Sequence, residues 1–399
     1  MVQDGRPLPR PPRRVPAAAA TLTQLQTSTP PRSPQPPARR PWTFGRFLAG
    51  FVAVLLILAA GASAGWYVRA QSLRIDTEKV LDSVRGGVVH VLATTCEGTG
   101  QATGVLIGDG LVLTAASALE QPLSIVIATD DGRVRRVNQL GRSADGVAVL
   151  RMIGRLDRQT VPLASRTPDP MAERALIGYT SAGVLTSRPI GTTEQPLALS
   201  TVMSQSKLGG PVVDKSGHVV GLVAGDTAPT SAIVSLDRLR GYVAPEPTGM
   251  TAEPGGSCER SRGPQTAVLP ELLVASTPLA LEAQKLLGTY LTLENRHDFE
   301  ALRPVYSKSF GKRLTLERDR NNHQTSYFFN ARITEVTRAG EDGVNVRMTY
   351  AVLFSPNASG ADGQACNRRD LRYLLVREGG QLRMHGSKEM QPVQSCDAD

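Results

Sequence analysis

The side chains that could support nucleophilic chemistry lie between residues 77 and 245. Ser204 and Ser206 offer hydroxyl groups there, and the histidines of this stretch are His90 and His218. A serine hydroxyl is a weak nucleophile at neutral pH unless an imidazole takes its proton and a carboxylate orients that imidazole. His90 falls in a strand-like run and His218 in a Ser-Gly-His turn, and neither is well placed beside the serines. We therefore expect structural or solvated roles for both histidines.

The pattern around these residues predicts an all-β domain over residues 77–245. Short β-branched runs alternate with Gly, Asp and Ser, as in GVLIGDGLVLTA and GGPVVDKSGHVVGLVAG. Such runs, separated by turns such as Asp109-Gly110 and Asp131-Gly132, are typical of antiparallel barrels or sandwiches. A short closing helix is predicted over residues 236–242.

Three phrases, in this order, resemble the trypsin-like and especially the HtrA-like serine proteases. Residues 104–117 (GVLIGDGLVLTAAS) resemble the strand and turn that carry the family's catalytic His and normally read TAAH. Residues 146–150 (GVAVL) resemble the strand that carries its Asp. Residues 208–214 (LGGPVVD) and 217–223 (GHVVGLV) are similar to the segment that holds the nucleophile and to the hairpin after it. The resemblance implies a double β-barrel protease fold.

The resemblance also implies that the catalytic triad is missing. The positions of the His, Asp and Ser are occupied by Ser117, Gly146 and Leu208. Asp145 is one residue early, and a shift of one residue in a strand turns the side chain to the opposite face. Ser206 stands where the family has the Gly of its oxyanion hole. We therefore expect no catalytic residues in this domain and no enzymatic activity.

Residues 246–276 are rich in Pro and Gly and are predicted to be a linker. Residues 277–392 then read as an α+β unit, with helices beginning at Thr277-Pro278 and at Phe299, followed by strands over 326–336, 344–354, 371–376 and 382–384. The phrase TYLTLENRHDFEAL, residues 289–302, resembles the opening of NTF2-like (SnoaL-like) cone domains. His297 and Asp298 are expected to be helix caps, while His323 and His385 have no identifiable partner.

Residues 47–68 form an uncharged stretch of 22 residues between Arg46 and Arg69. This length suffices for a single transmembrane helix in the lipid bilayer. Residues 1–46 contain eight Arg and one Asp, hence +7 of the total +9, and 11 Pro, so they are predicted to be a disordered cytoplasmic tail with the later domains outside. The remainder, at +2, does not indicate nucleic-acid binding. Ala62-Ser63-Ala64 leaves open an alternative, cleavage by signal peptidase.

The four cysteines, Cys96, Cys258, Cys366 and Cys396, lie on the predicted outer side, where disulfides form. No Cys-x-x-Cys or other ligand spacing is present, so no metal site and no cofactor are predicted. Of the three possible pairings we favour Cys96–Cys258 and Cys366–Cys396, because each stays within or beside one predicted domain.

The sequence thus predicts a single-pass plasma-membrane protein with an extracytoplasmic pseudoprotease that binds a peptide or protein partner without cleaving it. An extended peptide can pair with a sheet edge through its main chain, which needs no triad. Two alternatives remain open. One is an active envelope serine endopeptidase that uses displaced residues, and the other is a small ligand bound by the C-terminal NTF2-like domain.

Overall fold

The computed structural model describes residues 44–190, 208–224 and 233–397, with side chains from residue 50 onward. The predicted tail therefore lies almost wholly outside the described residues, as do Ser204 and Ser206. The chain divides into two compact units, Met1–Trp66 and Tyr67–Asp399.

The first helix, α1, runs over Phe44–Leu73 and includes the predicted span. Its large apolar side chains are exposed; Leu56 is 65% exposed and Trp66 is 74% exposed. Within the described residues it is the one helix long and apolar enough to cross a membrane, by length and composition. Exposed apolar side chains all round a helix of this length are consistent with the predicted membrane span.

Six strands form a closed antiparallel barrel. The pairing order is β5-β4-β1-β2-β3-β6, and pairing of β5 with β6 closes the barrel. Asp109 and Gly110 both have positive φ, 47° and 72°, which builds the predicted tight turn between β2 and β3. The strands are β1 Val88–Thr95, β2 Gln101–Gly108, β3 Leu111–Ala115, β4 Pro122–Ala128, β5 Val134–Ser143 and β6 Val147–Met152.

A second sheet packs against this barrel, with the order β11-β10-β9-β7-β8 in its described part. The predicted closing helix is confirmed as α3, and an unpredicted helix, α2, buries Val80 and Val84 in the core that the two sheets share. The bounds are α2 Thr77–Val84, β7 Arg174–Tyr179, β8 Leu185–Ile190, β9 Pro211–Val213, β10 Val219–Val223, β11 Ile233–Ser235 and α3 Leu236–Tyr242.

Helices precede strands in the C-terminal region, as predicted. Helix α4, Pro278–Asn295, begins with the Thr277 side chain capping the Ala280 N–H and with Pro in the first turn. The prediction of one continuous second helix from Phe299 is wrong, because Pro304 lacks an N–H and Ser307 caps a new helix. The observed pieces are α5 Phe299–Leu302, a 3₁₀ turn Arg303–Val305, α6 Lys308–Arg313 and the unpredicted α7 Leu316–His323.

The C-terminal strands form one sheet on which these helices pack. Register shifts after Phe329, Ile333 and Leu374 mark bulges, which bend a sheet. The strands are β13 Glu271–Leu272, β14 Tyr327–Ala339, β15 Gly343–Leu353, β16 Cys366–Glu378, β17 Gln381–Glu389 and β18 Gln394–Ser395, of which β13 pairs parallel with β14.

The barrel and the C-terminal sheet share a buried apolar cluster, which we call the interdomain cluster. The barrel contributes Leu92, Val126, Ala128 and Val134, and the C-terminal sheet contributes Tyr327, Phe329, Ala351, Leu353 and the Cys366 and Cys396 side chains. Because apolar side chains from both parts are buried against each other, the barrel and the C-terminal sheet are joined more firmly than by a flexible tether.

The segment predicted as a linker lies along both parts. Strand β12, Met250–Thr251, pairs with β5, and Arg262 and Thr95 exchange backbone hydrogen bonds of 2.9 Å. Disulfides join Cys96 to Cys258 and Cys366 to Cys396, which are the two pairings that the sequence favoured. The first bridge ties this segment to the barrel, and β13 near its other end pairs with β14 of the C-terminal sheet.

Candidate functional site

The three residues that the sequence resemblance assigned to triad positions lie around the end of β3. Ser117 is half-buried in a 3₁₀ turn, Ala116–Leu119, that follows this strand directly. The Ala116 N–H donates to the Gly146 carbonyl oxygen at 2.7 Å. A Cβ added to Gly209, next to Leu208, would lie 2.8 Å from the Ala115 nitrogen. The fold therefore brings Ser117, Gly146 and Leu208 into one neighbourhood, which we call the vestigial site.

The backbone at Leu208 is held tightly between the two sheets. Its carbonyl accepts the Thr103 N–H of β2 at 2.8 Å, and the Gly209 N–H donates to the Val223 carbonyl of β10 at 2.6 Å. The Leu208 side chain is only 5% exposed. The position that the sequence resemblance assigned to the nucleophile therefore carries a buried, apolar side chain.

Asp145 is held on the side of α3. Its Oδ2 lies 2.6 Å from Arg238 Nε and accepts a hydrogen bond from the Tyr242 hydroxyl. The sequence argument placed Asp145 in a strand, but it lies in the turn between β5 and β6, so its direction is set by these α3 partners. Gly146 beside it has φ +80°, a conformation that favours glycine over a residue with a carboxylate side chain.

The two histidines of this domain have other contacts. His90, on β1, stacks on Tyr179 with ring centroids 4.9 Å apart, and burial lowers the pKa of His90 to about 4. The imidazole is therefore neutral at pH 7. His218 lies in the turn between β9 and β10. Its backbone N–H donates to Asp214 Oδ1 at 3.0 Å, and its ring nitrogen Nδ1 is 3.8 Å from Asp214 Oδ2. These contacts agree with structural roles.

A second group of polar side chains, which the sequence analysis missed, is buried in the C-terminal region. The group consists of Glu294 on α4 and of Asp319 and His323 on α7. One carboxylate oxygen of each acid and one ring nitrogen of His323 all lie within 4.8 Å of one another. The Tyr306 hydroxyl donates to Asp319 Oδ2 at 2.8 Å and lies 3.4 Å from Glu294 Oε1. We call Glu294, Asp319 and His323 the buried triplet.

Burial dominates the electrostatics of the triplet. It raises the pKa of Glu294 well above its ordinary value, and the nearby negative charge of Asp319 adds to the effect, against hydrogen bonding from Tyr290 and Tyr306. Burial likewise raises the pKa of Asp319, against hydrogen bonding from Tyr306 and the charge of Arg303. Burial also lowers the pKa of His323 to about 4, with the charges of His297 and Arg369 as smaller causes.

A cavity of about 190 Å³ opens beside the triplet. His323 belongs to the buried triplet and also lines this cavity. The other lining residues include Phe328, Tyr350, Val352, Asn367 and Arg369. The volume admits only a small molecule, since pockets for drug-sized ligands are usually about 300 Å³ or more.

His297 and Asp298 lie where α4 ends and α5 begins. His297 has φ +54°, and N–H groups of His297 and Asp298 bond back to the carbonyls of Glu294 and Leu293. This is the Schellman pattern of a helix C-terminus, so the prediction that His297 caps a helix start is wrong. The Asp298 side chain then accepts the Ala301 N–H, so its predicted capping role is confirmed. His385, elsewhere, has Nδ1 3.1 Å from the Ser307 hydroxyl.

Several solved structures are similar to this chain at low identity. The active form of the Rv3671c protease from M. tuberculosis is 19% identical, with a TM-score of 0.36 over 45% of this chain and 88% of that chain. The serine endoprotease from Yersinia pestis is 21% identical, with a TM-score of 0.33 over 40% of this chain and 61% of that chain. A search of the curated proteins found no match.

The family model of the trypsin-like peptidase domain matches residues 102–222. This range begins in β2 and ends in β10, so it includes most of the closed barrel, part of the second sheet and all three positions of the vestigial site.

Proposed function

Residues 102–222 form a trypsin-like peptidase domain, and we propose that this domain is a membrane-anchored, extracytoplasmic pseudoprotease that binds a peptide or protein partner without cleaving it. The observation that carries the proposal is the vestigial site. Where the resemblance expects an imidazole, a carboxylate and a hydroxyl, the chain has Ser117, Gly146 and Leu208. Without a base, the Ser117 hydroxyl is a poor nucleophile.

The contacts of Asp145 and of the two histidines in this domain support the same proposal. Asp145 is engaged by Arg238 and Tyr242. His90 is stacked on Tyr179, and His218 bonds within its own turn. Recruiting any of them for proton transfer would require these contacts to break. The apolar helix α1 and the two disulfides agree with an anchored protein in an oxidising compartment.

We expect no covalent labelling of the full-length protein by a fluorophosphonate probe. Such probes need an activated serine, and none of the contacts described above activates one. The measurement is intact mass after exposure to the probe, with a trypsin-like enzyme labelled in parallel. Labelling that disappears in Ser206→Ala would instead establish the displaced-residue protease.

Peptides can be selected from a random library for binding to the full-length protein in detergent. We expect the selected peptides to bind the Ser117→Trp variant with an affinity lower by about tenfold or more. Ser117 is half-buried at the vestigial site, and an indole there would fill the space that a peptide needs. Ser216→Trp is the matched control, because Ser216 is exposed in the turn between β9 and β10. Equal binding by both variants, or failure to select any peptide, would contradict the proposal.

A second candidate function rests on the cavity beside His323. Phe328, Tyr350 and Val352 supply apolar walls, while Asn367 and Arg369 supply polar groups. This combination fits a small ligand with one polar end. In that case the C-terminal region would be the binding part and the barrel its support.

A further inference from the structure

The buried triplet has the arrangement of ligands around a metal ion. Asp319 and His323 are four residues apart on α7, so both side chains lie on one face of that helix. Glu294, in the last turn of α4, completes the set, with all three donor atoms within 4.8 Å of one another. Ligands around a tetrahedral ion at about 2.1 Å stand about 3.4 Å apart, which small side-chain rotations would reach here.

Two carboxylate oxygens of the triplet have no hydrogen-bond partner in the described part of the chain. Glu294 and Asp319 are both 0% exposed, and among the described residues Glu294 Oε2 and Asp319 Oδ1 accept no hydrogen bond. An unsatisfied buried carboxylate oxygen is costly, and two ionised carboxylates with oxygens within 4.8 Å of each other also repel. A cation between the carboxylates satisfies these oxygens and removes the repulsion.

We propose that Glu294, Asp319 and His323 bind a divalent transition-metal ion, with Zn²⁺ as the best match. Two carboxylate oxygens and one imidazole nitrogen are ligands that Zn²⁺ accepts, and three protein ligands leave a fourth position open. This site is independent of the vestigial site and of the proposed pseudoprotease function.

The surroundings of the triplet support such a site. The Tyr306 hydroxyl contacts both carboxylates and so orients them, as outer groups around metal ligands commonly do. His323 lines the cavity, which gives an ion a route to the carboxylates.

Two arginines bring positive charge near the triplet, but both have other partners. Arg303 donates to the carbonyl oxygens of Leu314 and Gly311, and Arg369 pairs with Glu389. Their charges will weaken cation binding without filling the space between the ligand atoms.

The test uses full-length protein in detergent, stripped with a chelator and dialysed against micromolar Zn²⁺. We expect one tightly held Zn²⁺ per chain by elemental analysis, and affinity reduced by about tenfold or more in Asp319→Asn and in His323→Gln. Substituted Co²⁺ should give the visible absorption bands of a tetrahedral site. Asp319→Asn preserves the side-chain shape, and His323→Gln provides a second variant if the first does not fold.

His385→Gln is the matched control, because His385 belongs to the same region but contacts Ser307 and Ser309. It should retain Zn²⁺ like the unaltered chain. The proposal is overturned if the unaltered chain holds no Zn²⁺ above the level of the variants.

Discussion

Gly209→Ala is expected to destabilise the protein by about 3 kcal/mol or more, or to prevent folding. Gly209 has φ +79°, which by itself costs an alanine about 1 kcal/mol. The added Cβ would also stand 2.1 Å from the Thr103 carbonyl oxygen and 2.7 Å from Thr114 Oγ1, so backbone of β2 would have to move. The measurement is the free energy of unfolding in urea, followed by circular dichroism.

Gly154→Ala separates the contact from the backbone strain. Gly154 has the same φ, +79°, but no atom lies within 4 Å of its added Cβ. This variant should therefore lose only about 1 kcal/mol. Equal losses at Gly154 and Gly209 would show that the tight contact between the Gly209 turn and β2 does not exist in solution.

The comparison also bears on the vestigial site. Leu208 precedes Gly209, and Thr103 lies against both residues. The Thr103 N–H donates to the Leu208 carbonyl, and the Thr103 carbonyl oxygen lies beside the Gly209 Cα. A large loss of stability in Gly209→Ala would mean that the backbone beside Leu208 is held in a defined shape. A binding role benefits from such rigidity, because an ordered surface loses less entropy when a partner binds.

Much of the trypsin-like domain could be predicted from local sequence. Strands β2 and β3 are β-branched runs on either side of Asp109-Gly110, and these two residues supply the positive φ values that their turn requires. Helix α3 likewise lies where its pattern placed it. In each case the decisive interactions are between residues close in the chain.

The buried triplet could not be predicted in the same way. Helix α7 has the sequence LERDRNNH, which shows no apolar period, so neither its helical state nor the shared face of Asp319 and His323 was visible. Glu294 looks like an ordinary polar residue at a helix end, and only the tertiary packing buries it beside α7. The one available signal was the four-residue spacing of Asp319 and His323, which is weak without the helix.

Phe329→Ala is expected to cost about 3 to 5 kcal/mol and to loosen the barrel as well as the C-terminal sheet. Phe329 is 4% exposed, stacks near Tyr327 at 6.0 Å between ring centroids, and belongs to the interdomain cluster. Removing a buried phenyl ring leaves a cavity at that interface. The measurement is hydrogen exchange followed by mass spectrometry, in which peptides from β1 and β4 should exchange faster than in the unaltered protein.

Phe328→Ala is the control, because the neighbouring side chain points to the other face of β14. Phe328 is 3% exposed and packs in the core of the C-terminal region, against Tyr350. Its loss should cost a similar free energy of unfolding but should leave exchange in β1 and β4 unchanged at low denaturant. If both variants speed exchange in the barrel strands equally, the two parts are coupled through the stability of the whole C-terminal region and not specifically through the interdomain cluster. If neither does, the barrel is stable without the sheet, and the shared apolar surface is only a contact between independently folded parts.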